Sequence, residues 1–535
     1  MSGELIWILA AGIAWGSVLS ARRLIHYFQL ESYQFPGFFR SITRNLFRAV
    51  LPGVVMTAAS GVLMYIFTRL YPTAAGISVW IIALAYAVGM ILGGLWWNAL
   101  EKKTALKKDL KFTPRIKRLY GTAAVVFILL AMVLAHFLNT FISLVLFPLF
   151  LPIWVAAAGL IAWPVEKLIS ELYFRDAQRI LNQVPGLIRI GITGSYGKTS
   201  VKVILGTLLA EKYQTLVTRA SFNTPMGITR EIRESLQPTH QVFVAEMGAR
   251  HVGDIKELVR LVHPTIGVIS SVGPQHLETF HTLDRIKRTK YELIEGLPEN
   301  GVAFFPDDNG ICFTYYQQTR REKILAALDQ FHGPDVWAEN IQEDTTGSSF
   351  DLCSKAERIT CHTKLWGRHN IQNIVLAASV ALHLGVSMTA VRRGIEKLQP
   401  VEHRLQTTTY GNGITIIDDA FNSNPQGAEA ALQILKRFTG KRFIVTPGMV
   451  ELGKEEETLN HKFGHSMASC ADVAVLVGKK RTMPIQRGLL EAGFDAGNMH
   501  VVDSLDQARK VVVQLVKSGD VVLFENDLPD QYSEK

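Results

Sequence analysis

Five apolar stretches crowd the first 165 residues, at about 5–20, 49–68, 76–97, 121–138 and 141–163. Each is roughly long enough to cross a hydrocarbon core, which takes about 20 residues of helix, although the first and fourth are short. A buried helix of a water-soluble protein carries an apolar stripe and a polar face. "TAAVVFILLAMVLAHFL" (122–138) is apolar on every face, so this third of the chain reads as an α-helical membrane region of five spans over 1–165. The first stretch does not read as a cleaved signal peptide, because Arg22 and Arg23 follow it instead of preceding it.

Charge sets the expected orientation. The first loop carries Arg22, Arg23, Arg40, Arg44 and Arg48, and the third, "EKKTALKKDLKFTPRIKR" (101–118), carries eight Lys and Arg. Between them "RLYPTAAG" has only Arg69, and the hinge near "LNTF" (138–141) has none. Cytoplasmic loops are the basic ones, so the N-terminus is expected outside the cell membrane and everything past residue 165 in the cytosol. Residues 1–180 hold 17 Lys and Arg against 7 Asp and Glu, whereas the remainder holds 39 against 40. A basic bias confined to loops between apolar runs points to a membrane surface and away from nucleic acid. The cysteines, Cys312, Cys353, Cys361 and Cys470, form no Cys-x-x-Cys pair, and read as reduced thiols, not as a metal cluster or disulfide framework.

From about 187 the pattern becomes α/β. "GLIRIGIT", "HQVFVAEMG" (240–248) and "PTIGVISSVG" (264–273) are short β-branched strands with helical stretches between them. A second series follows from 413: "GITIIDDA", "RFIVTPGMV", "VAVLVG", "MHVVDS" and "DVVLFEND". Alternation of this kind gives mainly parallel sheets covered on both faces. The expected organisation is a linker helix over 166–187, a central ATP-binding domain over 188–399 and a Rossmann-like C-terminal domain over 400–535. The irregular strands of 300–365 suggest a small subdomain.

The first strand ends in "GITGSYGKTSVK" (191–202). The strict phosphate-loop spelling wants a glycine where Ile192 stands; the chain offers Gly191, Gly194 and Gly197, then Lys198, Thr199 and Ser200. Backbone N–H groups of such a turn and of the helix it opens attract an anion. Lys198 can reach outer phosphates, and Thr199 is placed to ligate Mg²⁺. A nucleotide site follows, with Gly194, Gly197, Lys198, Thr199 and Ser200 in it.

This stretch resembles the phosphate loop of the Mur ligase family, the ATP-dependent amide-bond-forming enzymes of cell-wall synthesis. The resemblance runs on in order through "SFNTPMGI" (221–228), "VAEMGA" (244–249), "SSVGPQHLETF" (270–280), "RTKYELIEGL" (288–297), "LWGRHNIQN" (365–373), "IIDDAFNSNP" (416–425) and "TPGMVELG" (446–453). The last two look most like the branch that adds D-alanyl-D-alanine to a muramyl peptide. The resemblance implies a Mur-ligase-like fold and a carboxylate activated by ATP as an acyl-phosphate, then captured by an amine, with Mg²⁺ as cofactor. It implies that Thr199 and Glu246 hold one Mg²⁺ and His276 a second. It implies that Lys290 carries a carbamate that helps hold a metal, although a lysine on a helix is ordinarily a solvated charge. Asn370 and Asn373 would face the nucleotide, with Asn373 against adenine; Arg404 would reach phosphates and Asp419 the ribose. Asn422 and Asn424 would line the cleft near the transferred group, although an Asp-Asp strand end followed by Asn-Pro also makes a good turn. His369 reads as a buried histidine at a helix start.

Two departures bear on the substrates. Muramyl-adding ligases begin with a soluble domain that grips the UDP-sugar, and residues 1–165 do not resemble it. In place of the expected Lys/Ser/Arg-type acceptor loop stands "GDVVLFENDLPDQY" (519–532), with Glu525, Asp527 and Asp530, which suits a cationic amine. The expected partners are a small amino acid or peptide donor and an envelope precursor, lipid-linked or UDP-linked. Two other functions are compatible: a poly-γ-glutamate or folylpolyglutamate type of ligase, and a nucleotide-gated membrane protein without catalysis. "DDAFNSNP" departs from the Asp-Gly-Ala-His-Asn-Pro-like string of the folate branch, and Lys198, Glu246, His276 and Lys290 together speak for catalysis.

Overall fold

Helices occupy the first third, as the apolar stretches require, but they divide it differently. The computed structural model describes residues 3–31, 33–70, 77–103, 109–138, 141–219, 222–344, 347–401, 403–420 and 424–527. It separates into two compact units, Met1–Glu171 and Leu172–Lys535. In the first, Leu46–Leu70, Val79–Lys102, Pro114–Phe137 and Ile142–Asn182 are long and apolar enough to cross a membrane. A fifth span arises only if Glu4–Ser20 and Arg22–Leu30, bent by 46° at their junction, count as one. The last expected span is broken near its start: a helix Phe141–Leu146, a 3-10 turn Phe147–Phe150, then one helix Leu151–Asn182. That helix runs without interruption through most of the expected linker. The basic first loop holds a helix of its own, Phe35–Arg44.

Within this unit the outward face of Ile77–Lys102 is as apolar as the inward one. Trp80, Ile81, Leu84, Val88, Leu92, Leu95 and Trp96 are exposed, while Ala83, Tyr86, Ala87, Met90 and Trp97 are buried. The inward face packs through small residues. A Cβ on Gly12 would lie 2.4 Å from Ala87 Cα, one on Gly16 2.4 Å from Met90 O, and one on Gly94 2.4 Å from Gly16 O. Helix backbones therefore meet directly, the packing mode used where burial of apolar surface offers little drive.

The second unit holds two sheets. The first comprises β1 (Ile188–Thr193), β2 (Thr215–Val217), β3 (Val242–Glu246), β4 (Ile266–Ile269), β5 (Val302–Pro306), β6 (Glu322–Ala327), β7 (Val336–Glu343), β8 (Ser348–Ser354) and β9 (Arg358–Thr363). Their order is β2-β3-β1-β4-β5-β6-β7-β8-β9, parallel as far as β7 and antiparallel beyond. The strands expected as a small subdomain thus extend the main sheet. Helices Lys198–Leu209 and Arg368–His383 cover one face through Val201, Ile204, Leu205, Ile371, Ile374 and Val375. Helices Asp254–Val262 and Leu283–Glu295 cover the other through Ile255, Leu258, Leu293 and Ile294.

The second sheet comprises β10 (Gln406–Thr409), β11 (Thr415–Asp419), β12 (Arg442–Thr446), β13 (Val473–Val477), β14 (Met499–Val502) and β15 (Val521–Glu525). Their order is β10-β11-β15-β12-β13-β14, parallel except for β10. In the first sheet, Ile192 pairs in register with Glu246 and with Val268, so β1, β3 and β4 end level with one another. Ligands of open α/β sheets collect at that rim.

The glycine crossing supplies a stability test. Gly16→Val forces side-chain atoms into Met90 O and is expected to destabilise the chain by about 1–3 kcal/mol, as overpacking does. Gly121→Ala, where nothing lies within 4 Å of an added Cβ, should leave the unfolding temperature of the purified full chain unchanged. Thermal unfolding of both variants checks this.

Candidate active site

The glycine turn between β1 and the helix Lys198–Leu209 is seated on the exit of β4. A Cβ on Gly194 would lie 2.2 Å from Ser270 Oγ, and Gly197 adopts a left-handed φ of 76°, with its Cβ position 2.9 Å from Asn373 Oδ1. Ser195 N donates to Ser271 O at 2.6 Å, Ser195 Oγ donates to Gly273 O at 2.9 Å, and Ser270 Oγ donates to Tyr196 O at 2.5 Å. The turn is thus fixed by its neighbours. Lys198 opens the helix and donates to Gly194 O at 2.8 Å and Ser195 O at 2.9 Å. Burial lowers its pKa to about 8; Glu246 opposes the shift and Arg404 adds to it.

Glu246, the last residue of β3, is buried and its carboxylate is fully engaged. Oε2 accepts from Thr199 Oγ1 at 3.0 Å and pairs with Lys202 Nζ at 3.0 Å, and Oε1 accepts from Asn223 Nδ2 at 3.1 Å. Burial pushes this carboxyl upward, but Lys202, Lys198 and Asn223 together outweigh burial and leave the pKa lowered. Lys202 is itself buried. The sequence reading passed over Lys202, although it stands four residues past Lys198 on the same helix face.

Two further basic side chains and a carboxylate lie within electrostatic reach of the same place. Lys290, in the helix Leu283–Glu295, is 2% exposed and makes no side-chain hydrogen bond or ion pair among the described residues. Burial, reinforced by Lys198 and opposed by Asp254 and Glu292, drives its pKa well below that of an ordinary lysine. Arg404 lies within electrostatic reach of Glu246 and Asp419, and burial lowers its pKa against their pull. Asp419 ends β11 and accepts from Leu405 N at 3.2 Å. Burial raises its carboxyl to about 6; the Leu405 N–H and Arg404 oppose the rise, and Asp418 adds to it.

His276 joins from the loop after β4. Its Nδ1 contacts Glu451 Oε2, and Arg250 approaches the same carboxylate at 3.8 Å. His276 and Glu451 both have left-handed backbones, with φ of 54° and 65°. Such strain in residues other than glycine concentrates at functional sites. Burial lowers the His276 pKa, against the pull of Glu451. The partner came from a residue 175 positions away, which no local pattern could show.

Other expected residues are placed as follows. Asn373 is buried against the Gly197 turn, while Asn370 Nδ2 donates to Trp366 O at 2.7 Å, within its own helix start. Ser200 lies in the first turn of the helix Lys198–Leu209. Asn424 is an N-cap, its side chain accepting from Gly427 N at 3.0 Å ahead of Pro425, which is the turn-and-cap alternative. Asn422 and Asp530 lie outside the described residues. His369, expected to be buried, is exposed at the helix start. Glu525 is also not a surface charge awaiting an amine: it is fully buried and accepts from Thr446 Oγ1 at 2.5 Å. Beside it, Asn526 Nδ2 donates to Gly448 O at 2.6 Å, so this end of β15 fastens the loop that carries Glu451.

The residues fit a nucleotide and Mg²⁺. Lys198, Lys202 and Arg404 against Glu246 and Asp419 leave an excess of positive charge suited to a polyphosphate. Among the described residues no three His, Cys, Asp or Glu side chains gather as a metal cage. Mg²⁺ is ordinarily held by one or two carboxylates together with substrate phosphates, a share that Glu246 with Thr199 would fit.

Comparison with known proteins bears on the same residues. The Mur ligase middle domain matches residues 192–381, and the Mur ligase glutamate ligase domain matches residues 403–525. The UDP-N-acetylmuramoyl-tripeptide–D-alanyl-D-alanine ligase of Escherichia coli K12 is 29% identical over 333 residues, 61% of this chain and 74% of that enzyme. The enzyme of the same name from Mycobacterium bovis is 31% identical over 363 residues, 64% of this chain and 70% of that enzyme. The crystal structure of MurF ligase from Thermotoga maritima in complex with ADP superposes with a TM-score of 0.60 at 25% identity, covering 67% of this chain and 80% of that one.

Asp419 provides a test with a definite sign. Its folded pKa of about 6 lies above the ordinary 3.8, so its stabilising proton is held fully below pH 4 and lost as pH rises through 6. Above that the buried charge destabilises the fold. Asp419→Asn keeps an acceptor for Leu405 N–H and should gain on the order of 1–2 kcal/mol at pH 7.5, the gain vanishing near pH 4. ATP affinity should fall in the same variant. Thermal unfolding between pH 4 and 8, with nucleotide titration, measures both.

Proposed function

The chain belongs to the Mur ligase family, whose members are ADP-forming amide ligases that use ATP and Mg²⁺, and on that premise we propose that it joins an amine to a carboxylate of a cell-envelope precursor at the cytosolic face of a membrane. The observation that carries this reading is the convergence of Lys198, Arg404, Glu246 and Asp419 around the glycine turn, with the buried Lys290 beside them.

The substrate carboxylate attacks the γ-phosphorus, and the bond to the ADP oxygen breaks. The amine then attacks the acyl carbon, and phosphate leaves as the amide forms. Such a path calls for charge neutralisation on phosphoryl oxygens. Lys198 and Arg404, within electrostatic reach of each other, would supply it, and the backbone of residues 194–199 would hold the phosphates. Thr199 and Glu246 would hold Mg²⁺, which neutralises phosphoryl charge when bound; His276, oriented by Glu451, would hold a second ion. Asn373, packed on Gly197, stands where adenine can be met, and Asp419 where ribose hydroxyls can be.

Lys290 suits a carbamate for a stated reason. Only a neutral amine adds to CO₂, and burial of Lys290 shifts its equilibrium toward the neutral amine. Addition with loss of a proton turns a buried would-be cation into an anion facing Lys198 and the metal positions.

The helical unit supports a membrane setting. Its outward-facing Trp, Leu and Ile side chains would be costly in water over so large a patch. The loop charges support an outside N-terminus and ligase domains in the cytosol. Four or five spans are more than attachment requires, which supports an acceptor that is itself lipid-linked. The relatives named for D-alanyl-D-alanine addition point to a small amino acid or dipeptide as the amine.

Two measurements test the reading. Lys290→Ala should abolish amine-dependent phosphate release while leaving ATP binding within about threefold of wild type; short carboxylates should restore part of the rate. Full activity of Lys290→Ala removes the residue from the site. For topology, a reporter fused after residue 110 or 180 should read cytosolic and one near residue 73 external; a cytosolic signal near 73 overturns the five-span arrangement.

A further inference from the structure

Polar side chains gather at one end of the helical unit in a way that its packing does not explain. Arg22 and Arg23 open the helix Arg22–Leu30 directly past the 46° bend. Glu101 lies near the end of the helix Ile77–Lys102, and Tyr120 lies in the second turn of Pro114–Leu138. Arg23 Nε stands 3.5 Å from Glu101 Oε1, with both side chains largely buried. Arg22 is within electrostatic reach of Glu101 and Tyr120. Its guanidinium lies 5.8 Å from the centroid of the Phe112 ring, which stacks on Tyr120.

The segment that carries Phe112 is clasped in place. Lys111 N donates to Gln29 Oε1 at 3.0 Å, and Gln29 Nε2 donates to Lys111 O at 2.8 Å. Under it, Arg22 Nη1 and Tyr120 Oη are both buried and have no hydrogen-bond partner among the described residues. An arginine does not shed its proton. A buried donor left without an acceptor costs about 1–3 kcal/mol, and more when charged. Arg23 engages Oε1 of the nearby carboxylate, Glu101, whose Oε2 is buried beside it.

An N–H of a planar cation and a phenolic O–H, within electrostatic reach of each other, are therefore both left without a hydrogen bond among the described residues. A group with several anionic oxygens satisfies both, and phosphate matches the guanidinium fork. More positive charge stands nearby: Arg48 lies within electrostatic reach of Tyr27, as do Arg23 and Glu101. We propose that Arg22 and Tyr120 form a binding site for the phosphate headgroup of a membrane lipid, with a polyprenyl pyrophosphate as the ligand class. The inference rests on the membrane reading of the helical unit. In that topology this end of the helices lies at the cytosolic headgroup layer, where phosphates of lipids are found.

The test uses the purified full chain in lipid nanodiscs. Binding of polyprenyl pyrophosphate is measured against phosphatidylglycerol and inorganic pyrophosphate. Saturable binding of the polyprenyl form is expected, weakened about tenfold or more by Arg22→Gln, severalfold by Tyr120→Phe, and to an intermediate degree by Arg22→Lys, which keeps charge and loses the fork. Lys117→Gln, which removes an exposed charge from the same basic end, should leave affinity unchanged. If Arg22→Gln does not fold, Tyr120→Phe carries the comparison. Equal losses from Lys117→Gln and Arg22→Gln, or unaltered affinity in both site variants, overturn the proposal. So does inorganic pyrophosphate binding as tightly as the lipid. Turnover of UDP-linked and polyprenyl-linked acceptors by the wild type keeps the two readings apart. Faster turnover of the UDP form, alongside Arg22-dependent lipid binding, defeats the lipid-linked acceptor and leaves the headgroup site standing.

Discussion

A carboxylate buried at the end of a parallel strand does not stay ionised unless cations and donors meet it there. Glu246 has that company in full, and the arrangement of the catalytic unit follows from it. Thr199 and Lys202 bring the first turns of the helix Lys198–Leu209 against the strand end, and Asn223 brings in the segment before the next helix. β1 pairs with the same strand in register, so the glycine turn emerges level with Glu246. Breaking one member of such a buried set is costly, because the remaining charge is left without compensation. The positions of the phosphate loop, of Glu246 and of the exit of β4 are therefore one structural fact.

Charge balance elsewhere in the unit is left open in the opposite sense. Lys290 is buried with no anion in contact, and Arg404 and Lys198 both have pKa values lowered by burial. Such a cluster is unfavourable by itself and becomes favourable around a polyanion. Stability has been given up at the place where binding is required, a common exchange at functional sites.

Much of this was legible in the sequence, for identifiable reasons. The phosphate loop depends on glycine spacing and a neighbouring lysine, both local. The eight short strands β1, β3, β4 and β11 to β15 announce themselves by β-branched runs between turns, and they stand where such runs occur. Lys202 was legible in principle, since four residues separate it from Lys198. Glu451 was not, because its partner His276 lies in a different domain and the contact is made by tertiary packing alone. The 336–363 strands looked like an independent subdomain because nothing in an antiparallel meander says which sheet it will extend. Asn424 shows the reverse error: an asparagine ahead of a proline is a strong helix cap, and that local role accounts for its side chain here. Helix bends were also hidden, since the break near Ala21 carries neither glycine nor proline to mark it.

The contact between His276 and Glu451 has a wider meaning. Glu451, Arg404 and Asp419 come from beyond residue 400, whereas His276, Lys198, Glu246 and Lys290 come from before it. The candidate nucleotide site draws on residues of both parts. A rigid rotation of one sheet against the other would withdraw three of the seven side chains in a single motion, without unfolding a residue. Nucleotide occupancy and the angle between the sheets are then two readings of one equilibrium, since a ligand that touches both sides favours the arrangement in which both are present. The left-handed backbones of His276 and Glu451 meet at the seam between the two sides, the point such a rotation would open first.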